Sequence, residues 1–247
     1  MMSHTEQNQL LAALPRSVKD RIIPQLRLIE LPVGKVIFDA GQEVSHVYFP
    51  TDSIISLIHM TLDGHSAEVS VVGHEGIVGI SVFMGASSST SRAVVHCGGQ
   101  ACRLPAADLM REFEKDATAR TMMLRYTQAL ITQMAQTAVC NRHHTVFQQL
   151  CRWLLQSLDR LPGNELILTQ ELIANMLGVR REGVTEAACK LQKLGVIRYQ
   201  RGHITVIDRP KLEELCCECY AVAKKETDRL ASYTKRYRRA PPDPALK

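Results

Sequence analysis

The residues with the most chemistry to offer lie between Thr169 and Gly195, in TQELIANMLGVRREGVTEAACKLQKLG. At helical spacing, Arg180, Arg181, Glu182, Thr185, Glu186 and Lys190 fall opposite the apolar Val184, Ala188 and Leu191. Arginine bonds guanine through two parallel donors, and glutamate accepts from the amino group of cytosine, so this face suits the base edges of a DNA major groove. Thr169 and Gln170 at the head of the stretch, and Arg201 and His203 beyond it, complete the candidate DNA-contacting set.

Two steeply crossed helices must hold those side chains. Leu172, Ile173 and Met176 precede Gly178 with the same helical period. A steep crossing needs a small residue in the first helix, a positive φ in the turn and a branched residue buried by the second. Ala174, Gly178 and Val184 supply these in that order. Gly195 can stop the second helix, and residues 196–199 and 203–207 alternate like two strands around Arg201-Gly202. The spacing predicts a winged helix-turn-helix.

The 247 residues, 45% hydrophobic, have room for two ordinary domains. Charge separates along the chain: residues 1–144 hold 12 Lys and Arg against 13 Asp and Glu, whereas residues 145–247 hold 18 against 12. A polyanion is expected to meet the C-terminal part. No apolar run reaches the length of a membrane span and the opening residues lack the order of a signal peptide, so a cytoplasmic protein without membrane attachment is expected.

In that compartment the eight cysteines read as thiols. Cys97 and Cys102 flank a hairpin and are expected to be buried. Cys216, Cys217 and Cys219 have metal or redox potential, but a soft-metal site there needs a fourth ligand; His203 is the one considered, and no metal site is assigned. His143-His144 ends a helix and is read as a cap or hinge. His59, His65, His74, His96 and Glu75 lack the strand spacing of a metal enzyme's ligand set, so no catalytic residue and no enzyme activity are expected.

Ahead of the winged part, residues 117–144 are a continuous helical stretch. Leu124, Thr127, Ile131, Met134, Ala138 and Asn141 follow the alternation of a paired-helix seam, which predicts a homodimer. Residues 31–104 change to period two, in short runs such as VIF, VYF, IISLI and AEVSVV cut by glycine and aspartate turns. That pattern predicts a small antiparallel barrel or jelly roll. The expected fold class is α+β in five parts: a helical lead-in (1–30), the barrel (31–116), a dimerisation helix and hinge (117–144), the winged domain (145–232) and a basic disordered tail (233–247).

LTQELIANMLGVRREGVTEAACKLQKLGVIRYQRGHITVID resembles the DNA-binding domain of the Crp/Fnr family, and LPVGKVIFDAGQEVSHVYFPTDSIISL resembles the opening strands of that family's cyclic-nucleotide-binding barrel. The resemblance implies double-stranded DNA as partner, a homodimer with two recognition helices on a near-palindromic site, and RNA polymerase as a further partner of an activator. It leaves open the effector, the promoters, and the choice between activation and repression. Arg181 and Glu182 match the family's Arg-Glu pair on the reading helix, while Glu186 stands where the cyclic-AMP receptor has arginine.

The family's ligand cassette is a Gly-Glu pair followed by Arg-Ser or Arg-Thr. Here VGISVFMGASSSTSRAVV keeps Gly79 but puts Ile80 at the glutamate and Ser91 at the arginine, with Arg92 one residue later. An apolar side chain cannot bond a ribose hydroxyl, and a one-residue slip on a strand turns the arginine to the other face, so cyclic AMP in the usual pose is not expected. Gly79, Ser88, Ser89, Thr90, Ser91 and Arg92 remain as a candidate effector loop. An iron-sulfur cluster is not expected, because the family's cluster cysteines are N-terminal and the first cysteine here is Cys97. The alternative function is a ligand-, metal- or redox-sensing module whose winged domain contacts protein.

Overall fold

Pro15 and Asn8 break the lead-in into three short helices, α1 (His4–Gln7), α2 (Gln9–Ala13) and α3 (Arg16–Ile22), in a computed structural model that describes residues 4–239. Asn8 caps α2 by accepting the Leu11 amide at 2.9 Å, and its own amide donates to the carbonyls of Pro50 and Gly76 at 2.9 and 2.8 Å. These bonds pin the lead-in to the body, and Leu10, Leu11, Leu14, Val18 and Ile22 are buried there.

Seven strands follow, β1 (Arg27–Leu31), β2 (Val36–Phe38), β3 (His46–Pro50), β4 (Ile54–Met60), β5 (Ser66–Val72), β6 (Arg92–Cys97) and β7 (Gly99–Pro105). They form two antiparallel sheets, β1-β7-β3 and β2-β6-β4-β5. The period-two pattern puts Phe38, Val47, Phe49, Leu57, Val95 and Leu104 in one apolar core. β1 pairs over its whole length with β7, from Arg27 opposite Arg103 to Leu31 opposite Gly99. The barrel therefore begins at Arg27, ahead of the expected boundary at residue 31.

After α4 (Ala106–Lys115), Asp116 accepts the amides of Thr118 and Ala119 and starts α5 (Ala117–His143). This helix is 27 residues long and unbroken, about 40 Å at 1.5 Å per residue. Thr145 and Gln148 form a capping box that starts α6 (Val146–Leu158) immediately afterwards. Then come β8 (Glu165–Ile167), α7 (Gln170–Leu177), α8 (Arg181–Lys193), β9 (Ile197–Gln200), β10 (His203–Val206), α9 (Arg209–Leu215) and α10 (Glu218–Arg239). The wing is a three-stranded sheet, β8-β10-β9. Its first strand, only three residues long, has too little alternation to be read from sequence.

The chain ends differently from expectation. α10 returns along α5, with Leu230 in the barrel core, the Tyr233 ring 3.7 Å from the guanidinium carbon of Arg125, and Thr234 buried. Residues 233–239 of the expected disordered tail thus continue a helix held by α5, and residues 240–247 lie outside the described residues. The barrel and winged parts also share a core, since Ile54, Ile58, Val71 and Cys97 pack in one cluster with Trp153, Leu154 and Ile173. Among the described residues no helix is long and apolar enough to cross a membrane.

Candidate nucleic-acid interface

α7 closes on Gly178, whose φ of +65° lets its amide return to the Ala174 carbonyl. An added Cβ there would also stand 3.2 Å from the Cβ of Ala67 on β5. Ala174 and Val184 are buried where the two helices cross, so α8 lies across α7 as a helix-turn-helix requires. Glu182 sits in the first turn of α8 and Lys190 and Lys193 in the last, each with the sign the helix dipole favours.

The outer face of α8 is available. Arg180, Arg181, Glu182 and Glu186 are exposed, and among the described residues no hydrogen bond or ion pair engages their side chains. At the wing, Gln200 pairs with His203 across a two-residue turn in which Arg201 and Gly202 take φ of +50° and +85°, the type I′ geometry of a tight hairpin. Arg201 is exposed at this tip.

Other expected contact residues are partly committed elsewhere. The Thr185 hydroxyl lies 2.7 Å from Gln170 Oε1 and 3.0 Å from the Arg181 carbonyl, tying α7 to α8. Thr169 caps α7 by accepting the Leu172 amide. Lys190 holds its ammonium 4.5 Å from the Phe147 ring centroid, which turns it toward α6. His203 Nδ1 is 2.8 Å from Glu165 Oε1, so this ring nitrogen is already engaged by a carboxylate. That bond also removes His203 from the cysteine group, whose actual neighbours are Cys140 and His144.

The candidate effector loop is largely satisfied by itself. Gly79 adopts φ +105° at the head of a short turn of helix, and Ile80 packs against the barrel core. Ser89 accepts the Ser91 amide and donates to the Ser91 carbonyl, its own amide donates to Gln42, and the Ser91 hydroxyl is 2.9 Å from His59 Nε2. Ser88 bridges to Glu43, while Thr90 is exposed. Arg92 lies on the other face from Ser91, with its Nε 3.0 Å from Asp39 Oδ1. A carboxylate already answers the charge that a cyclic phosphate would need.

The expected seam divides in two. Leu124 and Ile131 are 49% and 47% exposed, and Ala138 and Asn141 are exposed beside them. Thr127 is buried, with its hydroxyl donating to the Met123 carbonyl, and Met134 packs against the barrel core. A helix cannot turn one stripe both toward its own barrel and toward a partner. Thr127 and Met134 therefore face the chain's own barrel rather than the exposed stripe.

A family model for the Crp-like helix-turn-helix domain matches residues 148–215, and one for the cyclic nucleotide-binding domain matches residues 28–116. Together they span more than half of the chain. The chain belongs to the Crp/Fnr family of transcriptional regulators. This Crp/Fnr regulator shares its fold with FixK2 of Bradyrhizobium japonicum, at 15% identity and a TM-score of 0.68 over 78% of this chain and 98% of that one. A Crp/Fnr-family regulator from Eubacterium rectale matches at 18% identity and a TM-score of 0.66, over 83% of this chain and 96% of that one. The c-di-GMP responsive global regulator CLP of Xanthomonas campestris matches at 15% and 0.61, over 78% and 100%. Among curated proteins, no relative matches the regulator.

Proposed function

We propose that this Crp/Fnr regulator is a homodimer that binds a specific, near-palindromic DNA site, with its two α8 helices in successive major grooves about 34 Å apart. The observation that carries this reading is the unpaired, exposed group Arg180, Arg181, Glu182 and Glu186 at the N-terminal half of α8, flanked by Arg201 at the wing tip. Base edges are read by Arg181 and Glu182, phosphates are held by Arg201 and by the N-terminal end of α7 at Thr169 and Gln170, and Leu124, Ile131 and Ala138 form the dimer contact. The barrel does not take cyclic AMP in the usual pose, because Ile80 offers no hydrogen bond and Arg92 is paired with Asp39. Any activation would add RNA polymerase as a partner.

The test is a binding isotherm of the purified protein on a site selected from random DNA, at physiological salt, with cyclic AMP, with cyclic di-GMP and with neither. Tight, salt-sensitive, sequence-selective binding that cyclic AMP leaves unchanged is expected. Failure to discriminate the selected site from random DNA would overturn the reading. A tenfold shift with cyclic AMP, about 1.4 kcal/mol of coupling, would return the effector loop to service.

A further inference from the structure

Four ligand-type side chains from distant parts of the sequence meet at the C-terminal end of α5. Cys140 and His144 are one helical turn apart and so share a face. Cys217 and Cys219 lie at the junction of α9 and α10. The three Sγ atoms and a ring nitrogen of His144 all stand within 4.8 Å of one another. Cys140 Sγ is 3.6 Å from Cys217 Sγ, and Cys219 Sγ is 3.5 Å from His144 Nδ1. Around a tetrahedral ion with metal–sulfur bonds of about 2.3 Å and metal–nitrogen bonds of about 2.0 Å, neighbouring ligand atoms are about 3.5–3.8 Å apart. We propose that Cys140, His144, Cys217 and Cys219 bind one soft divalent ion of the zinc class, as three thiolates and one neutral imidazole.

The surroundings suit such a centre. The second nitrogen of His144, Nε2, lies 3.5 Å from Glu218 Oε1, and a carboxylate on the far nitrogen orients a metal-bound imidazole and raises its basicity. Three thiolates around a divalent ion leave a net negative charge, and a cation is present to answer it. Arg152 is buried, and its Nη1 donates to Thr137 and Gln156, both neutral. Its Nε has no hydrogen-bond partner, and no carboxylate pairs with it, among the described residues. A guanidinium taken out of water needs an anion, and the cysteine group beside it supplies one. Cys216 contributes no ligand atom to the group. The ion would join the end of α5 to the start of α10 and so clip together the two ends of the segment that holds the whole winged domain.

The full chain, purified under reducing and chelator-free conditions, is assayed for bound metal and then, after metal removal, titrated with Co2+ without oxygen. About one zinc per chain is expected, and the cobalt form should show thiolate charge-transfer bands and tetrahedral d–d bands. Cys217→Ser should weaken Co2+ binding by at least about tenfold, whereas Cys216→Ser and Cys189→Ser should leave it unchanged. Wild-type protein that holds no zinc and develops no cobalt–thiolate bands overturns the proposal without recourse to any variant. So does metal retained at full occupancy in a Cys217→Ser/Cys219→Ser chain, or iron recovered with acid-labile sulfide.

Discussion

His96 lies flat against Trp153, with ring centroids 4.6 Å apart and planes within 4°. His96 is on barrel strand β6 and Trp153 on α6, so this pair joins the two halves of the molecule. The Trp153 indole donates to Glu68 Oε1 at 3.1 Å, and Ser56 donates to Glu68 Oε2 at 2.5 Å. His96 Nδ1 stands 3.1 Å from Ser56 Oγ and 3.6 Å from Glu68 Oε2. Burial opposes a charged imidazole, but the side-chain interactions with neighbouring Cys97 and Glu68 outweigh it and raise His96 to about 9.

A raised histidine stabilises the fold fully below its unfolded value near 6.5 and ceases to do so as pH passes about 9. The loss across that window is at most about 3 kcal/mol. Trp153 is the only tryptophan, so its fluorescence reports the stack. Emission should rise on alkaline titration with a midpoint near 9, and His96→Gln should abolish the step. A flat trace between neutral and alkaline pH would show that His96 is already neutral.

Arg181→Ala should cost about 1–3 kcal/mol at the selected DNA site and relax specificity at one base pair. Arg201→Ala should instead weaken all sequences alike and lower the salt slope by about 1. Competition binding at several salt concentrations separates the two. An equal loss on random DNA for Arg181→Ala would reassign it to the phosphate backbone.

Leu124 and Ile131 present the exposed apolar stripe of α5, and burying each side chain contributes about 1.5–3 kcal/mol. Each is only about half exposed, so about half of that is available to a partner. A Leu124→Ala/Ile131→Ala chain, which loses four such side chains per dimer, should dissociate at concentrations at least about a hundredfold higher than wild type, read by sedimentation. Thr127→Val, altering a group buried in its own protomer, should leave the association unchanged. The reverse ranking would restore the seam as the heptad alone draws it.

Arg160 Nε lies 2.8 Å from Glu75 Oε1, both side chains are buried, and the Gly73 amide also donates to that carboxylate. Arg160→Met strands a buried charge and should cost about 3–5 kcal/mol in urea unfolding. Removing both charges with Arg160→Met/Glu75→Leu should recover most of that. A single variant as stable as wild type would mean that water replaces the guanidinium.

Features governed by neighbours in sequence are legible in the sequence itself. Ala174, Gly178 and Val184 specify a crossed helix pair because each answers a local steric demand. The alternating runs between Leu31 and Leu104 specify half-buried strands, and Ile80 carries no group that can bond a ribose hydroxyl, which the side-chain type alone decides. One part of the cysteine cluster is local as well: Cys140 stands four residues before His144, one helical turn, so the two share a face whatever the rest of the chain does.

The rest belongs to tertiary structure, because it depends on where a distant segment returns. The heptad of α5 cannot say which of Leu124 and Thr127 faces the barrel, and packing buries Thr127. The basic end of the chain carries no mark that α10 will lie along α5, yet Leu230 is held in the barrel core. Cys140 and Cys217 are 77 residues apart, and only the return of the chain after the wing puts their sulfurs in one cluster. Spacing determines local conformation because a helix or strand repeats every few residues; contact between remote residues has no such period and is decided by the packing of the whole.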